Sequence, residues 1–318
     1  MEKTYMSKWF IAVCISWLQL LILIFPFTLR AENVSVITTI FPLKEFAQAV
    51  GGEQVEVTQL LPPGAEAHTW EPKPSDIVRL SRADIFIYTG AEMEPWVSGI
   101  LKTIENPKLV IIEASQGLPL LRADQAEAIG GEHHHSQESM HGRFDPHIWL
   151  NFDFDQKIVD KITEALSKKD PEVILRYQRN AEAYKAKLRD IDLRYLKGLG
   201  KCDSKEVVLG SHAAFAYLAQ QYGLRQISLY GISPNAEPTP KKMAEVIACA
   251  KKYHAQAIYY EELVSDKLAK TIAQETGAKT LVLSTGENLT QKQIETKVTF
   301  LALMEQNLEN LRYGLSCK

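Results

Sequence analysis

The sequence predicts an α/β protein with two halves, each a parallel sheet covered by helices, joined by one long helix. Three observations carry this. Short β-branched runs alternate with helical patterns, the sign of strand–helix–strand crossovers. That alternation occurs twice. Between the two occurrences lies a stretch of more than twenty residues free of proline and glycine and rich in Ala, Leu, Lys, Arg and Glu. With 318 residues, 46% of them hydrophobic and 24% charged, the chain has material for a sizeable core and two domains. A formal net charge of −3 shows no basic excess of the kind that holds a phosphate backbone, so nucleic acid is not an expected partner.

The first element lies outside the fold. Lys3 and Lys8 precede an apolar run from Trp9 to Phe27 that ends in "TLRA", which reads as a secretory signal peptide, residues 1–31, cleaved after Ala31. The run is also long enough for a retained membrane anchor. Val13 before Cys14 and "ISWLQLLILIF" after it do not fit a lipid attachment site. Export places the mature chain in an oxidising compartment, the periplasm or the outer face of the cell membrane. There, two of Cys202, Cys249 and Cys317 can pair. A bridge from Cys317 to Cys202 or Cys249 is expected, with the choice open.

The N-terminal α/β lobe is read over 32–168. "VSVITTI" (34–40), "VEVTQLL" (55–61), "DIFIYTG" (84–90) and "KLVIIEA" (108–114) read as strands. "PSDIVRLSRA" and "EPWVSGILKTI" carry apolar residues three and four apart, as helices packed on a sheet do. Residues 124–143 are polar, acidic and His-containing, a composition that cannot bury a core, and are expected to form a loop. Pro171 opens the linking helix, 169–200, in a first-turn position. The more than twenty residues after Pro171 without glycine or proline predict a stiff connection rather than a hinge. The C-terminal lobe, 201–318, has strands at "EVVLGS" (206–211), "QISLY" (226–230), "AIYYE" (257–261) and "KTLVL" (279–283). Helices are predicted near 213–222, 240–252 and 265–276, with a last one from Gln291 to Tyr313.

Open α/β sheets bind ligands beyond the carboxyl ends of their strands. His68 follows the second strand, His212 follows "EVVLGS", His147 lies in the loop ahead of a helix beginning near Asp153, and Glu287 follows the last strand. Three neutral imidazoles and one carboxylate suit four-coordinate zinc, whereas manganese favours more oxygen donors. Glu261 and Glu262 do not form an acid–base pair, because adjacent strand residues point to opposite faces and at most one faces a cleft. His254, beside Lys251 and Lys252 at a helix end, reads as a surface residue or a contact with the helix dipole.

The motifs "LPPGAEAHTWEPKPSD", "YTGAEMEPW", "DPHIWLN", "SHAAFAYLAQQYGL" and "YEELVSDKLAKTIAQETGAKTLVL" occur in an order that resembles the zinc-specific solute-binding proteins of ABC importers, the cluster A-I or ZnuA-like family. The resemblance covers the mature chain. It implies two (β/α)4 lobes with a metal site in the interlobe cleft, bound Zn2+, and delivery to an ABC transporter membrane permease by a monomer that is not an enzyme. Residue by residue it implies His68, His147 and His212 as ligands, the last standing where the manganese-binding branch has a glutamate. It puts Glu287 in the fourth position, with Glu262 or a water as alternatives. His133, His134, His135 and His141 are implied as auxiliary zinc-gathering residues. The competing readings are a manganese importer component or adhesin of the same fold, and a zinc hydrolase. The hydrolase is disfavoured by the absence of H-E-x-x-H and G-x-S-x-G.

Overall fold

Both sheets are wholly parallel and have the same strand arrangement. The computed structural model describes residues 33–128, 143–232 and 238–318. The leader 1–31 with Cys14, most of the 124–143 segment, and His133, His134, His135 and His141 lie outside the described residues. Among those described, no helix is long and apolar enough to cross a membrane.

The first half runs β1 (Val34–Thr38), α1 (Phe41–Gly51), β2 (Val55–Gln59), α2 (Pro74–Leu80), β3 (Ile85–Tyr88), α3 (Val97–Leu101), β4 (Val110–Glu113) and α4 (Ala123–Ala128). Its sheet order is β2-β1-β3-β4. A 3-10 turn, Ile148–Leu150, leads into α5 (Phe152–Lys169), and another, Pro171–Val173, into α6 (Ile174–Leu199). The second half runs β5 (Glu206–Leu209), α7 (Ala216–Gln221), β6 (Arg225–Ser228), α8 (Pro240–Lys252), β7 (Ala257–Tyr260), α9 (Lys267–Thr276), β8 (Lys279–Val282), α10 (Gln291–Glu295) and α11 (Phe300–Gly314), with sheet order β6-β5-β7-β8. Each order reverses between the first and third strand of its half, and the crevice at such a switch point is where α/β sheets receive ligands. The strands β1, β3, β5 and β7 are almost entirely buried because helices cover both faces, hence their continuous apolar runs.

The linking helix α6 has 26 residues and is about 39 Å long at 1.5 Å per residue. It buries Tyr177, Ala181, Tyr184, Leu188, Ile191, Tyr195 and Leu199, a stripe at three- and four-residue spacing. Tyrosine hydroxyls on that stripe tie it to both halves. Tyr184 Oη donates to Glu45 Oε1 of α1 at 2.9 Å, and Tyr195 Oη donates to the Met304 carbonyl of α11 at 2.6 Å. Residues 34–318 accordingly make one compact unit.

Several details differ from or sharpen the sequence reading. Residues 124–128, expected to belong to a loop, lie in α4 (Ala123–Ala128). The last predicted helix is two helices, because Lys297 adopts φ 53° between them and the Thr299 hydroxyl caps a fresh start by accepting from Ala302 N at 3.1 Å. Cys317 pairs with Cys202, and Cys249 is free. The bridge joins the end of α6 to the end of α11 across a sequence separation of 115 residues. A loop of that size constrains the unfolded chain by roughly 4–5 kcal/mol in the chain-entropy view. Cys202→Ser is therefore expected to cost up to about that much stability. Denaturant unfolding with and without reductant checks it, with reductant lowering only the wild-type midpoint.

Asp155 on the buried face of α5 is fully enclosed, and neither carboxylate oxygen has a hydrogen-bond partner among the described residues. Burial pushes its acid well above the usual carboxylate range. The fold holds the proton while the unfolded chain releases it, so this residue's contribution to stability is intact below about pH 4 and is lost as pH rises toward the folded-state value. Asp155→Asn is expected to raise the melting temperature by several degrees at pH 8 and to leave it unchanged near pH 4. A pH series of thermal melts checks this.

Candidate metal centre

His68, His147, His212 and Glu287 converge: one donor atom from each lies within 4.8 Å of the others. They come from four loops far apart in sequence, and each loop is held by local structure.

His147 sits between Pro146, which fixes its own φ, and the buried turn of Ile148, Trp149 and Leu150. Asn151 then caps α5 by accepting from Asp153 N at 3.0 Å and Phe154 N at 3.2 Å. His212 follows β5, where Gly210 lets the loop pass against α9. A Cβ at Gly210 would lie 2.5 Å from that of Ala269. The helix predicted from 213 begins only at Ala216, because His212 to Phe215 form the loop that presents the imidazole.

Glu287 lies in a loop, 283–289, that is buried throughout. Gly286 supplies its left-handed turn at φ 67°. This loop belongs to the second half but is bonded to the first. Trp149 Nε1 donates to the Thr285 carbonyl at 2.7 Å, and Phe41 N donates to the Glu287 carbonyl at 2.9 Å. Asn288 Nδ2 donates to the carbonyls of Pro62 and Ala65, each at 2.8 Å. Those two residues begin the loop that carries His68, whose backbone N–H donates to Glu66 Oε1 at 3.0 Å.

The histidines meet through one nitrogen each. His147 Nε2 is 3.2 Å from His68 Nε2 and 3.1 Å from His212 Nε2. His147, His212 and Glu287 are buried, and His68 is half-buried, so the site faces solvent on the His68 side. Glu287 Oε2 is buried without a hydrogen-bond partner among the described residues, an acceptor that a cation would satisfy.

The electrostatics of the site are set by burial and by opposed charges. Burial holds His147 well below the usual imidazole range, helped by the positive charge of His212, so it is neutral and its Nε2 lone pair is free for a cation. Burial would also lower His212, but the carboxylates of Glu261 and Glu287 prevail and raise it to about 9. Burial lifts Glu287 to about 8, against the pull of His212, and lifts Asp145 to about 7, against the backbone N–H of His147.

Two carboxylates stand behind the histidines: Asp145, which the sequence reading did not single out, and Glu261, which it read only as one of a strand pair. Asp145 Oδ1 accepts from His147 Nδ1 at 2.8 Å and from His147 N at 2.9 Å. Glu261 Oε1 lies 2.7 Å from His212 Nδ1, an ion-pair distance, though out of line for a hydrogen bond. The prediction that at most one of Glu261 and Glu262 faces the site is met by Glu261. Glu262 is not among the converging donors, and it accepts instead from Gln293 Nε2 at 3.2 Å. The signal for Asp145 lay two residues upstream of His147 in "DPH", a spacing at which a short carboxylate folds back onto the imidazole. His254 is exposed with φ 49°, just past the end of α8, as a surface residue. Trp70 and Trp96 pack edge to face with centroids 5.7 Å apart, and Trp149 is buried.

Comparison with known proteins gives the family. The chain is 36% identical over 289 residues to the high-affinity zinc uptake system protein ZnuA of Bacillus subtilis, covering 91% of this chain and 90% of that protein. It is 37% identical over 280 residues to the zinc-binding lipoprotein AdcA of Streptococcus pneumoniae, covering 88% of this chain and 55% of AdcA. It thus spans about half the length of the AdcA protein it matches. The crystal structure of the Zn(II)-bound ZnuA-like domain of that organism's AdcA aligns with a TM-score of 0.75 at 34% identity, covering 89% of this chain and 99% of the domain. Residues 36–314 match the family described as ZnuA, zinc-uptake complex component A periplasmic. With nearly all of the described fold inside that match, the chain belongs to the ZnuA family.

Proposed function

We propose that this protein captures Zn2+ outside the cytoplasm and delivers it to a membrane permease of the ABC type. The observation that carries this is the meeting of three imidazole Nε2 atoms and one carboxylate, all within 4.8 Å of one another, between two parallel sheets. Three nitrogens and one carboxylate oxygen match the ligand preference of zinc and leave too few oxygens for manganese. His68, His147, His212 and Glu287 are the ligands in this reading, with the lobes 32–168 and 201–318 on either side of the linking helix 169–200. The protein acts as a monomer, without nucleic acid and without catalysis: four protein donors close a tetrahedral site and leave no position for an activated water.

Metal analysis and zinc titration of the mature protein test this. The expected result is one tightly held zinc per chain, retained in the presence of excess manganese. A chain that prefers manganese in competition moves the assignment to a manganese carrier, and turnover of an ester or peptide moves it to a hydrolase.

A further inference from the structure

The two fully buried histidines each have an acid on the nitrogen that faces away from the meeting point. Asp145 and its partner His147 are both 0% exposed, and Glu261 and its partner His212 are 3% and 1% exposed. Asp145 Oδ1 takes both the ring Nδ1–H and the backbone N–H of His147, at 2.8 and 2.9 Å. This double contact fixes the ring's tilt as well as its protonated nitrogen. Glu261 Oε1 lies 2.7 Å from His212 Nδ1, and neither atom has a hydrogen-bond partner among the described residues. One acid comes from each half of the chain, so the arrangement is repeated on both sides of the site.

A neutral imidazole carries its hydrogen on one nitrogen, and the other is the donor to a metal. The acceptor on His147 Nδ1 selects the tautomer whose lone pair is on Nε2, and the carboxylate 2.7 Å from His212 Nδ1 favours a positive hydrogen-bearing nitrogen on that same side. We propose that Asp145 and Glu261 are positioning residues for zinc: Asp145 holds His147 in the Nδ1–H form and orientation that present Nε2 to the ion, Glu261 holds His212 in place through its charge beside Nδ1, and together they set the affinity of the site. This rests on the zinc-capture reading above. Neither acid touches the ion. The acid behind each ring also draws electron density toward Nε2, which makes the nitrogen a stronger donor without adding an oxygen ligand that would suit manganese.

The test uses the mature protein and the variants Asp145→Ala, Asp145→Asn, Glu261→Ala and Glu261→Gln, each confirmed folded by circular dichroism. Zinc affinity is read by chelator competition, and the histidine tautomers of the zinc-loaded protein by 15N–1H correlation NMR. The expected result is Nδ1–H with metal on Nε2 for both histidines in the wild type. Each alanine variant should weaken zinc binding by about 10- to 100-fold. Asp145→Asn keeps an oxygen acceptor at Nδ1 and should recover most of that loss while the Nδ1–H resonance of His147 shifts upfield, whereas Glu261→Gln removes the charge beside His212 and should bind as weakly as Glu261→Ala. These amide variants are nearly isosteric and keep the test decisive if an alanine variant does not fold. Alanine variants or Glu261→Gln within about threefold of wild type, an Asp145→Asn variant with an unmoved His147 Nδ1–H resonance, or metal on Nδ1 would overturn the inference while leaving zinc capture standing. A wild type that takes up no zinc overturns the capture reading itself, so the two failures are distinct.

Discussion

Replacement of His147 by alanine is expected to raise the zinc Kd roughly 10²- to 10³-fold. His147 is the hub of the cluster, its Nε2 within 3.2 Å of both other imidazole donors. Four-ligand structural zinc sites are worth about 10–16 kcal/mol, so one donor among four accounts for roughly 2.5–4 kcal/mol. The ring's removal also leaves Asp145 with only the backbone N–H of that position as donor. Chelator competition on the purified variant measures the effect, with His254→Ala, an exposed residue remote in sequence from the ligands, as the control. A His147→Ala protein that binds zinc within tenfold of wild type is incompatible with the proposed ligand set.

The second large effect is that of pH. The ion-free pocket holds protons at neutrality, with His212 raised to about 9 and Glu287 to about 8. Zinc needs the lone pair of one and the charge of the other, so binding must expel those protons, and falling pH opposes it. With about two protons displaced, affinity falls by up to roughly a hundredfold per pH unit between about pH 8 and pH 6. An unperturbed imidazole places the loss below about pH 6. The buried acids move its onset above neutrality. Calorimetry in buffers of different ionisation enthalpy counts the protons released, and a Kd that stays flat from pH 8 to pH 6 contradicts the coupling.

Much of this was readable in the residues, for identifiable reasons. Seven of the eight strands fall within their expected runs, β6 starting one residue early at Arg225, because the central strands, covered on both faces, permit little but apolar residues. His68, His147 and His212 were recognisable because each follows or precedes an element end inside a distinctive motif. What escaped depends on contacts between distant segments. The choice of Cys202 over Cys249 needs the ends of α6 and α11 to be adjacent, and no spacing of cysteines reveals that. The break in the last helix arises at Lys297 from local turn geometry that apolar periodicity does not register. Glu261 read as one member of a glutamate pair, and its role becomes visible only with His212 beside it.

The loop that carries Glu287 is buried along its length and stitched to the opposite half through Trp149, Phe41 and Asn288. Its conformational entropy is therefore given up during folding and not when the ion arrives. Such preorganisation lets the incoming cation keep nearly all of its coordination energy, and the hold on it is expressed chiefly as residence time. Slow release is then the default behaviour of the isolated protein, and rapid unloading requires an outside agent that pulls this seam apart.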